Sequence, residues 1–311
     1  MKVCFIGTGS IGKRHIKNLF NVFGDIEIHV IRNTTRQLDG EISSIVKKIM
    51  YSTNEICEEY DAVFITNPTY MHYNTLKEMY KYSNNFFIEK PVFDKIDYDL
   101  SVFNNEKNIY VACPLRYTQV IQEAKKILQK EKIISIRSIC SSYLPDWRKD
   151  VDYRTVYSAH KSEGGGVCID LIHEWDYLIY LFGFPDKVFC LNGRYSDLQI
   201  DSEDIAVYIA AYKDKLLELH LDYVGRQSIR QMQAISNKNN WTFDILNGTI
   251  SKNSIIVKEY KENVNDKYIK EIKYFMQSVK LGKNSNDINN ALNVMRVSMG
   301  METSYEKSTI K

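Results

Sequence analysis

The first residues whose spacing indicates a chemical role form a glycine-rich turn near the start of the chain. The turn consists of Gly7, Thr8, Gly9, Ser10, Ile11 and Gly12. It follows a short apolar run and opens a helical period, the context in which this spacing binds a dinucleotide. Gly7 permits the tight turn, Gly9 lets the backbone approach a pyrophosphate, and Gly12 lets the helix pack on the strand. The helix N terminus favours the negative charge of that ligand, and the alternative is an ordinary strand-to-helix turn.

The end of the second predicted strand has a guanidinium where an acidic residue is typical of NAD binding. Arg32 occupies that position, and Asn33, Thr34 and Arg36 follow it. No carboxylate stands there to bind the ribose diol, whereas arginine binds a 2′-phosphate with two hydrogen bonds. We therefore expect NADP to be preferred over NAD. The alternative is that both arginines are solvated loop residues.

Polar side chains also follow the third and fourth predicted strands. They are Thr66, Asn67 and Pro68 after the third strand, with His72 inside the next helix, and Glu89, Lys90 and Pro91 after the fourth. Ligands bind at the carboxyl edge of a doubly wound sheet, so we expect these residues to face the nicotinamide. Pro91 favours an extended backbone at Lys90, which fixes the direction of the lysine side chain.

The elements that must position these residues alternate between strands and helices through the first third of the chain. Strands are predicted at 2–6, 27–31, 61–66, 86–89 and 108–113. This alternation predicts an α/β fold with an N-terminal Rossmann domain, which is built on a doubly wound parallel sheet and covers residues 1–116.

The remaining residues, 117–311, are expected to form an α+β domain for substrate binding and oligomerisation. Helices are predicted at 118–130, 168–181, 268–281 and 287–304, and strands at 133–141, 187–193, 203–212, 215–223 and 229–236. Short turns join the last four strands, so the sheet should be open and mainly antiparallel. One face of this sheet, predicted from the alternating apolar residues Ile205, Val207, Ile209, Leu217, Leu219 and Leu221, is expected to pack on a partner.

Composition excludes several classes of function. The 311 residues include 41 Lys and Arg against 39 Asp and Glu, and a net charge of +2 provides no field for binding nucleic acid or an anionic membrane. The longest apolar runs are shorter than the roughly 20 residues that span a bilayer. The first residues lack a secretory pattern, so a cytoplasmic protein is expected. Six isolated cysteines, without zinc-site spacing, predict reduced thiols and no metal.

Together these motifs resemble the Gfo/Idh/MocA family of NAD(P)-dependent oxidoreductases over essentially the whole chain. The resemblance rests on residues 7–12, Asn67-Pro68 with His72, Glu89-Lys90-Pro91, and Gly164-Gly165-Gly166 leading into Asp170-Leu171-Ile172-His173. It implies that Lys90 lies beside the nicotinamide and the substrate, and that His173 is the general acid/base. It also implies a homodimer or homotetramer assembled through the C-terminal sheet.

The spacing around His173 departs from the family pattern. Asp170 precedes His173 by three residues instead of four, and Glu174 adjoins the histidine. On a helix, residues three apart share a face, so Asp170 and His173 are expected to converge, with Asp176 one turn further along. The sequence leaves open which carboxylate orients His173, and whether His173 is instead a core residue.

Oxidation of a secondary alcohol would explain why these residue types occur together. The reaction removes a hydride to the nicotinamide and a proton to a base whose pKa is near neutrality, a requirement that His173 fits. The Lys90 ammonium can stabilise the negative charge that develops on the same oxygen. In the reverse direction the pair would donate a proton to a carbonyl.

An aromatic and basic stretch before the triple glycine is the predicted substrate site. Its candidates are Tyr143, Trp147, Arg148, Arg154 and Tyr157, with Arg116 and Glu174 from other segments. Rings that stack on a sugar and cations that bind an anion would suit an acidic or phosphorylated sugar. The alternative is a structural loop. The stretch also resembles a family branch found with surface-glycan genes, including those for sialic-acid-like sugars, which implies a nucleotide-activated or acidic sugar.

The leading hypothesis is an NAD(P)-dependent sugar dehydrogenase or reductase that acts on a secondary alcohol or ketone. One alternative is a reductase of a non-sugar carbonyl or imine. Another is a non-catalytic dinucleotide-binding scaffold or sensor, which the altered spacing between Asp170 and His173 keeps open.

Overall fold

Short apolar runs form a six-stranded parallel sheet in the computed structural model, which describes residues 1–103 and 106–301. Its strands are β1 (Lys2–Ile6), β2 (Glu27–Ile31), β3 (Val46–Met50), β4 (Ala62–Ile65), β5 (Asn85–Ile88) and β6 (Asn108–Val111). They lie in the order β3-β2-β1-β4-β5-β6. Strands β4 and β6 are buried along their whole length, as is typical of a parallel sheet covered on both faces. The predicted doubly wound parallel sheet is confirmed.

The other elements are eight α-helices and the eight strands of a second sheet, within the described residues. They are α1 (Ser10–Phe23), α2 (Gly40–Ile45), α3 (His72–Met79), α4 (Gln119–Leu128), β7 (Ile133–Tyr143), α5 (Val167–Asp170), α6 (His173–Phe182), β8 (Lys187–Gly193), β9 (Ile205–Ala211), β10 (Leu216–Asp222), β11 (Val224–Ser236), β12 (Asn240–Asp244), β13 (Thr249–Lys252), β14 (Ile255–Glu259), α7 (Asp266–Leu281) and α8 (Ile288–Ser298). Residues 302–304 of the last predicted helix lie outside the described residues.

The second sheet has the order β14-β13-β12-β11-β7-β10-β9-β8. Its neighbouring strands are antiparallel except for β10 and β7, which run parallel. The predicted mainly antiparallel sheet is confirmed. Strands β12 to β14 are not among the predicted elements, because they are short and the apolar side chains of β14 are exposed instead of alternating.

The predicted apolar face of this sheet is wrong in one respect. Leu217 pairs with Ala210 and Leu219 with Tyr208, and all four side chains are buried. Since successive side chains in a strand point to opposite faces, Val207 and Ile209 lie on the other, exposed face. The alternating residues of β9 (Ile205, Val207 and Ile209) and those of β10 (Leu217, Leu219 and Leu221) were predicted to form one face of the sheet, but they belong to opposite faces.

Contacts between residues divide the described chain into two units. The first contains Met1–Pro114 and Asn265–Ala291, and the second contains Leu115–Val264 with the described residues from 292 on. The division expected from the sequence, between residues 116 and 117, does not include this return of the chain to the first unit. Helix α7 belongs to the first unit and contacts α1, and the ring of its Phe275 is completely buried. A helix distant in sequence thus completes the Rossmann unit.

The helices of the protein can be compared with a membrane-spanning helix in length and apolar character. Among the described residues, no helix combines the length and the apolar character that crossing a bilayer requires.

Candidate active site

The glycine turn between β1 and α1 has the backbone that its sequence predicts. Gly7 has a φ of +96°, and a Cβ there would lie 2.8 Å from the backbone of Asn67. A Cβ on Gly12 would lie 2.6 Å from the carbonyl oxygen of Gly7. At Gly9 a Cβ would meet nothing within 4 Å, and no side chain caps the N terminus of α1. The turn therefore offers open space and the N terminus of α1 to an anion.

A cleft of about 1010 Å³ extends from this turn along the carboxyl edge of the first sheet. Many of its lining residues are predicted cofactor ligands, namely Gly7, Thr8, Gly9, Ser10, Ile11, Arg32, Asn33, Thr34, Arg36, Thr66, Asn67 and Pro68. The cleft is also lined by Tyr51, Ser52 and Thr53, which were not predicted. They follow β3, so only recognition of that edge strand could have identified them.

The charges around the cleft are mixed. Arg32 is buried, and its Nε has no hydrogen-bond partner among the described residues. Asp39 also lines the cleft, although no carboxylate was predicted for this region. It accepts from the backbone N–H of Ile42 at 3.0 Å and pairs with Lys13 at 2.8 Å. The bond from Lys13 lowers the pKa of Asp39. Asp39 is therefore held by Lys13 and by the backbone of α2. Arg32 is a buried cation of the cleft whose Nε can donate to a ligand.

Thr66 and Asn67 connect the glycine turn to the end of β4. The Thr66 hydroxyl donates to the carbonyl oxygen of Gly7 at 2.9 Å, which fixes the turn against the strand. The Asn67 amide donates to Thr75 at 2.8 Å, and its buried Oδ1 has no partner among the described residues. A buried acceptor without a donor is costly, so Asn67 is suited to bind a donor group of a ligand.

His72, a predicted cofactor residue, lies beneath this edge and does not line the cleft. It is 1% exposed, and its ring nitrogens contact backbone carbonyl oxygens of Asn67 at 2.9 Å and of Pro91 and Val92 at 3.1 Å. Burial lowers its pKa, against the opposing effect of these carbonyls. His72 therefore ties together the two loops that follow β4 and β5.

Glu89 and Lys90 directly follow β5 at the same carboxyl edge. The backbone N–H of Glu89 donates to the carbonyl of Ile65 at 3.0 Å, which continues the pairing of β5 with β4. Lys90 is half-buried, and the Lys90–Pro91 peptide bond is cis. Both residues lie at the expected edge of the sheet, and neither is among the residues that line the cleft.

Asp170 in the second unit lies at the centre of a group of hydroxyls. Its carboxylate accepts from Tyr157 at 2.5 Å, Ser158 at 2.7 Å and Tyr223 at 3.1 Å. Burial and the charge of Asp170 raise the pKa of both tyrosines, which keeps their hydroxyls protonated as donors. Tyr223 was not predicted as a site residue, because it lies 53 residues beyond Asp170 in the chain.

The helix predicted over 168–181 is two helices. Helix α5 ends at Asp170, and α6 begins at His173. Leu171, with φ of −92° and ψ of 22°, leaves helical geometry between them. The prediction that Asp170 and His173 share one face of a continuous helix is therefore wrong. His173 is half-buried in the first turn of α6.

The two other carboxylates near His173 are held by arginines. Asp176 accepts two hydrogen bonds from Arg116, at 2.7 and 2.8 Å, and both residues are buried. Glu174 is completely buried, 2.9 Å from Nε of Arg230. Burial raises the pKa of Glu174, while the charge of Arg230 opposes the change. Arg116 and Glu174 were predicted to bind substrate. In the structure both are buried in the second unit, where each is paired with an oppositely charged residue.

The aromatic and basic stretch is partly structural and partly available. Arg154 is held by Asp152 and by Gln199, so it is part of the loop itself. The Tyr143 ring lies 3.6 Å from the guanidinium of Arg226. Trp147 donates to Ser142 and remains 37% exposed, while Arg148 is exposed and lies 5.9 Å from the Tyr157 ring. Trp147, Arg148 and Tyr157, which is 39% exposed, thus remain accessible members of the predicted substrate site.

A parallel sheet with a glycine turn and an open cleft at its carboxyl edge, followed by an α+β unit, defines a dinucleotide-binding class of protein. Residues 1–107 match the family model described as "Oxidoreductase family, NAD-binding Rossmann fold". Residues 121–231 match the GFO/IDH/MocA C-terminal domain. The chain belongs to the Gfo/Idh/MocA family of oxidoreductases, which confirms the resemblance seen in its motifs.

Individual relatives share the fold at low sequence identity. The uncharacterized oxidoreductase YrbE of Bacillus subtilis (strain 168) is 24% identical over 192 residues, which are 57% of this chain and about half (52%) of that relative. The myo-inositol 2-dehydrogenase of Lactobacillus plantarum has 18% identity and a TM-score of 0.78, covering 96% of this chain and 95% of its own. The UDP-N-acetylglucosamine 3-dehydrogenase of Acidithiobacillus ferrooxidans has 18% identity and a TM-score of 0.75, with the same coverage.

Proposed function

We propose that this protein is an NADP(H)-preferring oxidoreductase that interconverts a secondary alcohol and a ketone of a sugar. The observation that carries the proposal is the carboxyl edge of the first sheet. There the uncapped glycine turn and its cleft occur on the same edge as Lys90, which follows β5. The dinucleotide, when bound, supplies or accepts the hydride.

Two residues of this chain are proposed to manage the proton. His173 takes the proton from the substrate hydroxyl during oxidation and returns it to the carbonyl oxygen during reduction. The Lys90 ammonium donates a hydrogen bond to the same oxygen and stabilises its developing charge. Asp170 is the carboxylate proposed to support His173, because Glu174 and Asp176 are each paired with an arginine. Three hydroxyl donors hold Asp170 in place for that role.

The proposed substrate is a nucleotide-activated or acidic sugar. Exposed Trp147 provides a ring on which a sugar or base can stack, and exposed Arg148 provides a cation for a carboxylate or phosphate. The name of the related UDP-N-acetylglucosamine 3-dehydrogenase supports a nucleotide sugar. Hydride exchange across a panel of neutral, acidic and nucleotide sugars tests this choice. Turnover of non-sugar carbonyls alone would favour a different reductase, and tight dinucleotide binding without exchange would favour a scaffold or sensor.

We expect NADPH to bind more tightly than NADH, by about tenfold or more, because a buried guanidinium can form charge-assisted bonds to a 2′-phosphate. Arg32 and Arg36 line the cleft and are the proposed phosphate ligands. The measurement is a fluorescence titration with each dinucleotide at the same salt concentration. Replacing both arginines with Ser should abolish most of the difference.

The matched control for this titration is Arg14→Ser. Arg14 is an exposed arginine on α1 that does not line the cleft, so its loss should leave the NADPH preference unchanged. Tighter binding of NADH by the unmodified protein would reject the phosphate argument. Failure to bind either dinucleotide would reject the site.

We also propose a homodimer or homotetramer formed through the exposed face of the second sheet. Phe189 pairs with Ile209 and Leu191 with Val207 across β8 and β9, and all four side chains are exposed. Replacing Ile209 with Asp should produce monomers, because a charge would be buried in an apolar interface. Light scattering measures the mass. The control is Ile255→Asp, which changes an exposed residue of β14 at the far end of the sheet and should leave the mass unchanged. A monomeric unmodified protein would contradict the proposal.

A further inference from the structure

A buried histidine and a buried carboxylate link helix α1 to Lys90. Nε2 of His15 lies 2.6 Å from Oε1 of Glu89. The other oxygen of Glu89 accepts from the backbone N–H of Lys90 at 3.2 Å. His15 is completely buried and Glu89 is 9% exposed. One carboxylate therefore connects the helix that starts at the glycine turn with the lysine at the end of β5.

The surroundings of the pair indicate where its charge resides. Nδ1 of His15 is buried without a partner among the described residues, and the ring packs against Phe87 and Tyr268. Because the Glu89 carboxylate accepts, Nε2 of His15 is the donor of their hydrogen bond. Burial would raise the pKa of Glu89, but the bond from His15 and the charge of Lys90 outweigh it, so the pKa is lowered. Glu89 is therefore the anion of the pair.

We propose that His15 and Glu89 are positioning residues for Lys90. His15 fixes the Glu89 carboxylate, which holds the backbone of Lys90 and thereby the direction of its side chain. This inference rests on the proposed function of Lys90 as the hydrogen-bond donor to the reacting oxygen. It also gives α1, whose first turn faces the cleft, a direct connection to that donor.

The first sheet contains a matched pair in a different place. Nε2 of His29 lies 2.8 Å from Oε1 of Glu27 at the amino end of β2, the edge of the parallel sheet opposite Lys90. The bond from His29 lowers the pKa of Glu27 as well. A general effect of losing a histidine–carboxylate bond should therefore appear when either Glu27 or Glu89 is replaced. An effect on Lys90 should appear only when Glu89 is replaced.

The test measures Lys90 directly and does not depend on turnover. Each folded variant is treated with limiting isotopically labelled acetic anhydride, and the acetylation rate of Lys90 is read by mass spectrometry. A glutamine cannot accept from both Nε2 of His15 and the backbone N–H of Lys90. The half-buried Lys90 side chain should therefore lose its fixed position and become more accessible, so Glu89→Gln should be labelled about threefold faster or more. Glu27→Gln should be labelled at the unmodified rate.

Turnover and dinucleotide binding are measured on the same variants. Glu89→Gln should lower kcat about tenfold or more, because a misplaced donor stabilises the reacting oxygen less well. The Kd for the dinucleotide should change less than about threefold, since Glu89 does not line the cleft. A purely structural carboxylate would not produce this separation between kcat and Kd at a constant fold.

Conservative variants of His15 test its part and provide a second route should Glu89→Gln fail to fold. His15→Leu removes the donor and should accelerate Lys90 labelling, as Glu89→Gln does. His15→Gln retains an N–H close to the position of Nε2 and should restore the unmodified rate. Circular dichroism confirms folding of each variant before labelling.

The outcomes separate this inference from the proposed function. An unchanged rate of Lys90 labelling in both Glu89→Gln and His15→Leu would overturn the inference, whatever the turnover. Faster labelling in these variants, in a protein that exchanges no hydride with any sugar, would support the link between the pair and Lys90. It would at the same time reject the proposed reaction.

Discussion

Lys90→Ala is expected to lower kcat by about 10³-fold, because it removes both a hydrogen bond to the reacting oxygen and the positive charge beside it. Dinucleotide binding should persist with a Kd within about threefold of the unmodified value, since the lysine does not line the cleft. Hydride exchange and fluorescence titration measure the two quantities on one preparation.

The control for this experiment is Lys95→Ala. Lys95 is an exposed lysine on the same loop, five residues after Lys90, so its loss should not affect turnover. Exchange by Lys90→Ala at the unmodified rate would remove Lys90 from the mechanism. Loss of dinucleotide binding together with turnover would instead make Lys90 a binding residue.

Arg116→Met is expected to lower the free energy of unfolding of the second unit by about 3–5 kcal/mol, because it leaves the buried carboxylate of Asp176 without its partner. The chain has three tryptophans, Trp147, Trp175 and Trp241, and all lie in the second unit. Urea unfolding followed by tryptophan fluorescence therefore reports on that unit.

The double variant Arg116→Met with Asp176→Leu separates pairing from packing. Replacing a buried ion pair with apolar residues of similar size is often close to neutral, so the double variant should recover most of the lost stability. A single variant of unchanged stability with a raised KM would show that Arg116 binds substrate after all.

Local sequence predicts the glycine turn well because its requirements lie within a few residues. Gly7 and Gly12 are each required by backbone atoms close by, at Asn67 and at Gly7 itself. The short strand before the turn and the helix after it are visible in the same window of sequence. Lys90 was equally predictable, because the end of a buried strand determines its place on the sheet edge.

Tertiary pairing explains why the sequence could not show that other predicted site residues are buried in ion pairs. Arg116 and Glu174 occur beside aromatic and catalytic candidates in sequence, and an unpaired charge there would suggest substrate binding. Their partners, Asp176 and Arg230, lie 60 and 56 residues away, distances at which spacing provides no information. Asp39 was not predicted as a cleft residue for a different reason. It caps the short helix α2, and the sequence does not show that it also lines the cleft.

The return of α7 to the first unit affects the order in which the protein can fold during synthesis. Asn265 and Asn18 exchange side-chain hydrogen bonds of 2.7 and 3.0 Å, and Glu271 accepts from the backbone of Cys113 at 2.5 Å. Phe275 packs edge-on against Phe64 of β4. A nascent chain of about 120 residues has all six strands but lacks these partners. On the ribosome, therefore, the dinucleotide-binding unit cannot complete its fold until residues Leu115–Val264 and helix α7 have been translated. Until then its aromatic surface around Phe64 stays uncovered.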